Sequence, residues 1–146
     1  MHTRGCEWIV EAHGCDPARL ADPEVLRALF ARLITALELH AVAPPQWHAF
    51  PAIHHGLGGV TGMALLAESH LTVHTFPEHG SLCLNLFCCR ARPDWDVGGE
   101  LAPFVGAQGF EVRVRRVERE LHAASASGPG ERERSRTMAA APGQRR

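Results

Sequence analysis

The sequence predicts an α+β fold, a two-layer sandwich in which two helices cover one face of a mainly antiparallel sheet. Several short segments alternate apolar and polar residues, which is typical of strands with one buried face. Other segments carry helix signals, and the order along the chain is strand, helix, strands, helix, strand. The 146 residues, 45% of them hydrophobic, predict one domain that buries a core without disulfides or metals.

The first strand is expected over residues 6–11, followed by a loop over residues 14–17, where Gly and Pro occur. A helix is predicted to begin at Pro23, with Asp22 as its N-cap, and to run to about His40. Its apolar residues recur at spacings of three and four and form one broad face.

A second strand is expected within residues 41–50, interrupted by two prolines, and a loop over residues 51–59 leads to a third strand over 60–68. Two alternating strands follow up to Cys89, joined by a turn at residues 77–80, because Pro lacks an N–H donor and Gly accepts turn conformations.

The end of the domain has a weaker helix and a closing strand. The helix is predicted over residues 93–108, where Gly98 and Gly99 lower the helix propensity, and residues 110–119 alternate as expected for a strand. The domain is expected to end at residue 122. Residues 123–146, rich in Ala, Ser, Gly, Pro, Glu and Arg, are expected to be a disordered tail, with a weak anionic partner as the alternative.

The composition of the chain argues against several classes of function. The formal charge of −1 gives no sign of nucleic-acid binding, and no apolar run approaches the roughly 18 residues of a membrane span. The first residues do not resemble a secretory signal, so a cytoplasmic protein with five reduced cysteines is expected. All 15 basic residues are Arg. Without Lys the chain cannot hold pyridoxal phosphate as a lysine Schiff base.

Chemically active side chains concentrate between Glu68 and Cys89, where a serine hydroxyl, imidazoles, carboxylates and thiols fall on two predicted strands. On the second strand, leucines occupy alternate positions and are expected to face the core, whereas Cys89 is expected to face away from it. A metal site is disfavoured, because His70 and His74 lie about 13 Å apart along an extended strand. Isolated histidines are more often structural or solvated, which is the interpretation for His48, His54, His55, His79 and His122.

The residues Ala67-Glu68-Ser69-His70, His74-Thr75 and Pro77-Glu78, with a Cys twenty positions after the Ser, resemble the prokaryotic S-adenosylmethionine decarboxylase family. The resemblance covers residues 6–118. Members of this family cleave themselves to generate a pyruvoyl group.

The resemblance implies cleavage between Glu68 and Ser69. The Ser69 hydroxyl would attack the Glu68 carbonyl to give an ester, for which a strained backbone and a proton acceptor are needed. By resemblance, His74 is the base that takes the Ser69 α-proton, and Thr61 supplies a hydroxyl that helps processing. The products would be residues 1–68 and a pyruvoyl-blocked chain that begins at position 69.

The pyruvoyl carbonyl would form a Schiff base with the substrate amine and accept the electrons left by CO2. The carbanion must then be protonated at carbon. Cys89 matches the proton donor of the family, and a thiol titrates close enough to neutral pH to supply a proton. Cys88 is the competing candidate, one position off the motif.

The implied substrate is S-adenosylmethionine, a precursor of spermidine. Aromatic rings suit its sulfonium and adenine, and a carboxylate suits its ribose diol. Phe50, Phe76 and Glu78 are the candidates.

The sequence departs from the family pattern at four places. Phe76 replaces the usual Trp, His79 a Tyr and Asn85 a frequent Asp, and the loop from Phe50 to Val60 is longer.

Two alternatives stay open: a pyruvoyl-dependent decarboxylase of ornithine or arginine, and an uncleaved partner subunit without catalysis. The resemblance also implies a homodimer of cleaved protomers with active sites at or near the interface.

Overall fold

The structure is a computed structural model that describes residues 2–52 and 56–122. His54, His55 and the expected tail from residue 123 lie outside the described residues. Six antiparallel strands form one open sheet in the order β2-β3-β4-β5-β1-β6. The strands are β1 (His2–Cys15), β2 (Gln46–Ala49), β3 (Val60–Leu66), β4 (Ser69–Phe76), β5 (Ser81–Cys88) and β6 (Gly106–His122).

Three helices, α1 (Pro17–Leu20), α2 (Pro23–Ala36) and α3 (Val97–Val105), accompany the sheet. The α+β prediction is confirmed, with one short helix more than expected. Each helix begins after an aspartate whose carboxylate accepts a backbone N–H of the first turn: Asp16 from Ala18, Asp22 from Glu24 and Asp96 from Gly99. Asp22 was predicted in this role. The expected loop at residues 14–17 was wrong at both ends, since β1 reaches Cys15 and α1 starts at Pro17.

Helix α2 ends at Ala36, four residues before the predicted end. Glu38 takes a left-handed conformation with φ 52°. The Leu39 N–H then donates to the Ile34 carbonyl over 2.8 Å, and the Leu39 side chain is buried. Leu39 therefore packs into the core although it lies in a turn. This is why the apolar spacing in the sequence extends beyond the end of the helix.

Other boundaries differ in length. Strands β1 and β6 run well beyond their predicted ends because they pair with each other from His2–His122 to Cys15–Gly106. Helix α3 is shorter than the predicted 93–108, since its cap is Asp96 and Gly106 already begins β6. The predicted strand over 41–50 is confined to Gln46–Ala49, apart from an isolated bridge between Ala41 and Leu66.

The helices pack on one face of the sheet, called here the covered face, and the other is the open face. On β5 the predicted leucine face is buried, with Leu82, Leu84, Leu86 and Cys88 at most 2% exposed. Ile9, Met63 and Leu65 project from the open face and are 39%, 53% and 58% exposed. Within the described ranges, no helix has the length and apolar character needed to cross a membrane.

Candidate active site

A two-residue turn, Ala67 and Glu68, joins β3 to β4 and precedes Ser69. Glu68 has φ 59°, a left-handed backbone that costs an L-residue about 1–2 kcal/mol. The Ala67 N–H donates to the His40 carbonyl over 2.8 Å, and Arg90 Nε donates to Glu68 Oε2 over 3.1 Å. The turn is thus held from both sides while its second residue is strained.

The Glu68 carbonyl, which belongs to the predicted scissile bond, accepts a hydrogen bond from the Cys89 N–H over 3.0 Å. A fixed N–H donor polarises the carbonyl and stabilises negative charge that develops on its oxygen during nucleophilic attack. Cys89 was predicted to act through its thiol, and this contribution of its backbone N–H was not predicted.

Ser69 lies on the covered face. Its register partners are Leu66 on β3 and Cys88 on β5, and Cys88 pairs in turn with Cys6 on β1. All three neighbours are at most 3% exposed. A cavity of about 240 Å³ adjoins Ser69 and the turn. The cavity is lined by Glu38, His40, Ala67, Glu68, Ser69, Cys88, Arg90 and Arg92.

The thiol next to Ser69 is that of Cys88, its cross-strand partner on β5, and both residues line the same cavity. Burial raises the pKa of Cys88. Cys89 follows β5 and is half-buried; by strand alternation it belongs to the open face. The structure thus brings Cys88 to the serine, and the role of Cys89 as proton donor stays a prediction.

Thr61 and His74 form a second cluster. They are register partners on β3 and β4, and Thr61 Oγ1 lies 2.9 Å from His74 Nδ1. The cluster is on the open face, and five strand residues, about 16 Å, separate His74 from Ser69. One chain therefore does not bring the predicted base to the predicted nucleophile.

A pocket of about 440 Å³ adjoins the second cluster. It collects all three predicted substrate-binding residues together with Thr61 and His74. Phe50 is 52% and Phe76 38% exposed, so both rings are accessible to a ligand. The backbones of Phe50 and Gly58 approach each other closely at the base of the loop, where a Cβ on Gly58 would lie 1.8 Å from the Phe50 carbonyl oxygen. The pocket is lined by Phe50, Pro51, Gly56, Leu57, Gly58, Gly59, Thr61, His74, Thr75, Phe76 and Glu78.

A polar network on the open face was not foreseen. Asn85 Nδ2 donates to Glu7 Oε1 over 2.8 Å, and Asn85 Oδ1 accepts from His70 Nε2 over 3.1 Å. Arg119 Nε donates to Glu7 Oε2 over 3.2 Å. The hydrogen bonds from Arg119 and then Asn85 lower the pKa of Glu7. Asn85, in place of the family's frequent Asp, was the sequence feature that could have indicated this network, because an Asp carboxylate could not donate a hydrogen bond to Glu7.

Both motif histidines are committed to protein partners, His70 to Asn85 and His74 to Thr61. Within residues 2–52 and 56–122, no three His, Cys, Asp or Glu side chains are grouped so that they could hold a metal ion.

Comparison with known proteins identifies the family of the chain. A profile of the S-adenosylmethionine decarboxylase family matches residues 6–120. A protein of Pyrococcus furiosus named S-adenosylmethionine decarboxylase proenzyme is 37% identical over 94 residues, which are 64% of this chain and 63% of that protein. Proteins of the same name from a Geobacillus species and from Bacillus cytotoxicus are 36% and 34% identical, over 86% and 81% of their lengths and 77% and 79% of this chain.

The chain thus spans about 63% of the length of the Pyrococcus relative and more than four-fifths of the two bacterial ones. The family profile covers all six strands except the outermost residues of β1 and β6, and includes both clusters. The chain belongs to the S-adenosylmethionine decarboxylase family.

Proposed function

We propose that the chain cleaves itself between Glu68 and Ser69 and becomes a cytoplasmic, pyruvoyl-dependent decarboxylase of S-adenosylmethionine, which supplies spermidine biosynthesis. The observation that carries this proposal is the strained Glu68, whose carbonyl is held by the Cys89 N–H directly before the serine hydroxyl. Family membership supports the same activity.

Cleavage begins when Ser69 Oγ attacks the Glu68 carbonyl carbon. The oxygen of that carbonyl gains negative charge, which the Cys89 N–H stabilises. The C–N bond breaks, the hydroxyl proton passes to the nitrogen, and an ester replaces the peptide. Removal of the Ser69 α-proton then expels Glu68 as a carboxylate, and hydrolysis of the dehydroalanine releases ammonia and leaves the pyruvoyl group.

The base for the α-proton comes from a second copy in this proposal. Within one chain Ser69 and His74 lie about 16 Å apart along β4, which is too far for proton transfer. The exposed apolar side chains Ile9, Met63 and Leu65 make the open face suitable for packing against a twin sheet. In a two-fold homodimer, the Thr61–His74 cluster of one copy can approach the Ser69 turn of the other. His74 then acts across the interface, with Thr61 fixing its ring.

The residues around position 69 fit the pyruvoyl group, since its precursor stands at a turn that a cavity adjoins. When formed, the group supplies an electron sink for the loss of CO2 from the bound substrate. Cys89 is assigned to return a proton at carbon. Phe50 and Phe76 would hold the adenine and sulfonium, and Glu78 the ribose hydroxyls.

Family membership favours S-adenosylmethionine over ornithine or arginine. The two exposed aromatic rings of the pocket favour it too, because a small basic amino acid offers no flat ring to stack. A non-catalytic partner subunit has no chemical need for Ser69, His74 and Cys89 together.

The proposal is tested by the denaturing intact mass of the purified full chain. We expect two fragments divided between residues 68 and 69, the second blocked by a carbonyl, while Ser69→Ala stays whole. CO2 release is then compared for S-adenosylmethionine, ornithine and arginine, and Cys89→Ala is expected to cleave but turn over slowly. An intact wild-type chain, or normal cleavage of Ser69→Ala, would exclude the mechanism.

The role of the second copy has a separate test. When Ser69→Ala and His74→Ala chains are co-expressed, the former lacks the nucleophile and the latter lacks the base. We expect only the His74→Ala chain to be cleaved, and only in the mixture. Cleavage of His74→Ala alone would remove the base assignment.

A further inference from the structure

Cys88 lies directly opposite Ser69 on the neighbouring strand β5. The hydrogen bond from the Cys89 N–H to the Glu68 carbonyl identifies the preceding register position as a hydrogen-bonded pair. In an antiparallel ladder such pairs alternate with pairs that lack backbone bonds, in which the side chains approach most closely. Ser69 and Cys88 form a pair of this second kind, and their side chains therefore lie side by side.

Ser69 and Cys88 also both line the cavity beside the turn. Cys88 is 1% exposed, so water has little access to Ser69 from the side of the thiol. The last residue of β5 and the residue after it thus lie beside the two groups that must react. Cys88 is paired with Ser69, and the Cys89 N–H donates to the Glu68 carbonyl oxygen.

We propose that Cys88 is a positioning residue for self-cleavage, whose thiol hydrogen-bonds to Ser69 Oγ and orients it toward the Glu68 carbonyl carbon. This inference rests on the proposed function. The step forms the Oγ–C bond, breaks the C–N bond and moves the hydroxyl proton to nitrogen, so no oxidant or reductant is needed. Cys88 itself makes and breaks no covalent bond.

The buried environment suits this role. Burial raises the pKa of Cys88, so the side chain stays a neutral thiol at neutral pH. A neutral thiol donates and accepts weak hydrogen bonds without placing a charge beside the serine. A serine at position 88 would offer the same donor and acceptor in a similar shape, whereas alanine would offer neither.

The test follows cleavage of the full chain during cell-free synthesis, by intact mass at successive times. We expect Cys88→Ala to cleave about three- to tenfold more slowly, the range for loss of one uncharged hydrogen bond. Cys88→Ser should stay within about twofold of the wild type, with an unchanged dependence on pH between 6 and 8.

Cys6→Ala is the matched control, because Cys6 is the next residue in the same cross-strand row and is 0% exposed. Its thiol bonds to the Arg90 carbonyl. We expect it to cleave at the wild-type rate, and thermal unfolding of each variant in a Ser69→Ala background reports any loss of folding.

Three results would overturn the inference while leaving the proposed function intact: Cys88→Ala cleaving like the wild type, Cys88→Ser as slow as Cys88→Ala, or Cys6→Ala as slow as Cys88→Ala. A wild-type rate that rises with pH and becomes flat in Cys88→Ser would replace positioning by base catalysis. A wild-type chain that never cleaves would overturn both proposals.

Discussion

Replacement of Glu68 by glycine tests whether the left-handed backbone before Ser69 stores free energy that drives cleavage. At φ 59° an L-residue loses about 1–2 kcal/mol, which glycine does not lose. Glycine in turn costs about 0.5–1 kcal/mol in conformational entropy. From the middle of the two ranges, the net gain in free energy of unfolding is about 0.5–1 kcal/mol.

The ion pair of Glu68 with Arg90 must be separated from this backbone effect. Both side chains are mostly exposed, 60% and 74%, so the pair contributes at most about 1 kcal/mol. Glu68→Gln removes the charge and keeps the backbone penalty, and is the proper reference for Glu68→Gly.

Stability is measured by thermal and urea unfolding in a Ser69→Ala background, where no chain is cut. We expect the glycine variant to unfold about 2–5 °C higher than the glutamine variant. Glu38→Gly is the control, since Glu38 also has a left-handed φ, 52°, at the end of α2. It should gain similar stability without altering the scissile residue.

Cleavage is then compared with Ser69 restored. If attack on the carbonyl releases the strain, Glu68→Gly cleaves about two- to fivefold more slowly than Glu68→Gln, the rate equivalent of 0.5–1 kcal/mol. Equal stabilities, or cleavage of the glycine variant as fast as that of the glutamine variant, would refute the reasoning.

Three further predictions concern the open face. Thr61→Val keeps the shape but removes the hydroxyl 2.9 Å from His74, so gel time courses should show about three- to tenfold slower cleavage, restored by Thr61→Ser; an unchanged rate would contradict it. Hydrogen bonds from Arg119 and Asn85 lower the pKa of Glu7. The ionised carboxylate therefore stabilises the fold at pH values above its ordinary pKa of 4.5, and this stabilisation is lost as the pH falls through the lowered pKa of the folded state. In acid titrations monitored by circular dichroism, Glu7→Gln should therefore lose less stability than the wild type below about pH 4.5, and parallel curves would argue against the network. Phe76→Ala should raise the KM for S-adenosylmethionine about tenfold with little change in kcat, while Phe76→Trp keeps it low; an unaltered KM would place the substrate elsewhere.

Local patterns in the sequence were enough for much of the fold. The alternation along β4 and β5, the turn between them and the Asp22 cap each depend on residues a few positions apart, and the structure confirms them. The ends of α2 and β6 were wrong because they depend on distant partners. Leu39 leaves the helix to reach the core, and β6 is extended by its pairing with β1.

The candidate site also has features that local sequence patterns indicated and features that depend on tertiary structure. The motif placed Ser69, His74 and Cys89 in one short stretch, and the alternation of β4 already puts Ser69 with the buried Leu71 and Val73. Which thiol touches Ser69 depends on the register between β4 and β5. The bond between Arg119 and Glu7 joins residues 112 positions apart, which no local pattern could indicate.

The sequence by itself determined the family resemblance, the α+β class and the predicted scissile bond, because these follow from residue types at short, fixed spacings. Only the tertiary structure decided that Glu68 is strained, that Cys88 is the cross-strand partner of the serine and that His74 lies on the opposite face. The physical reason is that strand register and helix packing bring together atoms whose separation along the chain carries no periodic signal.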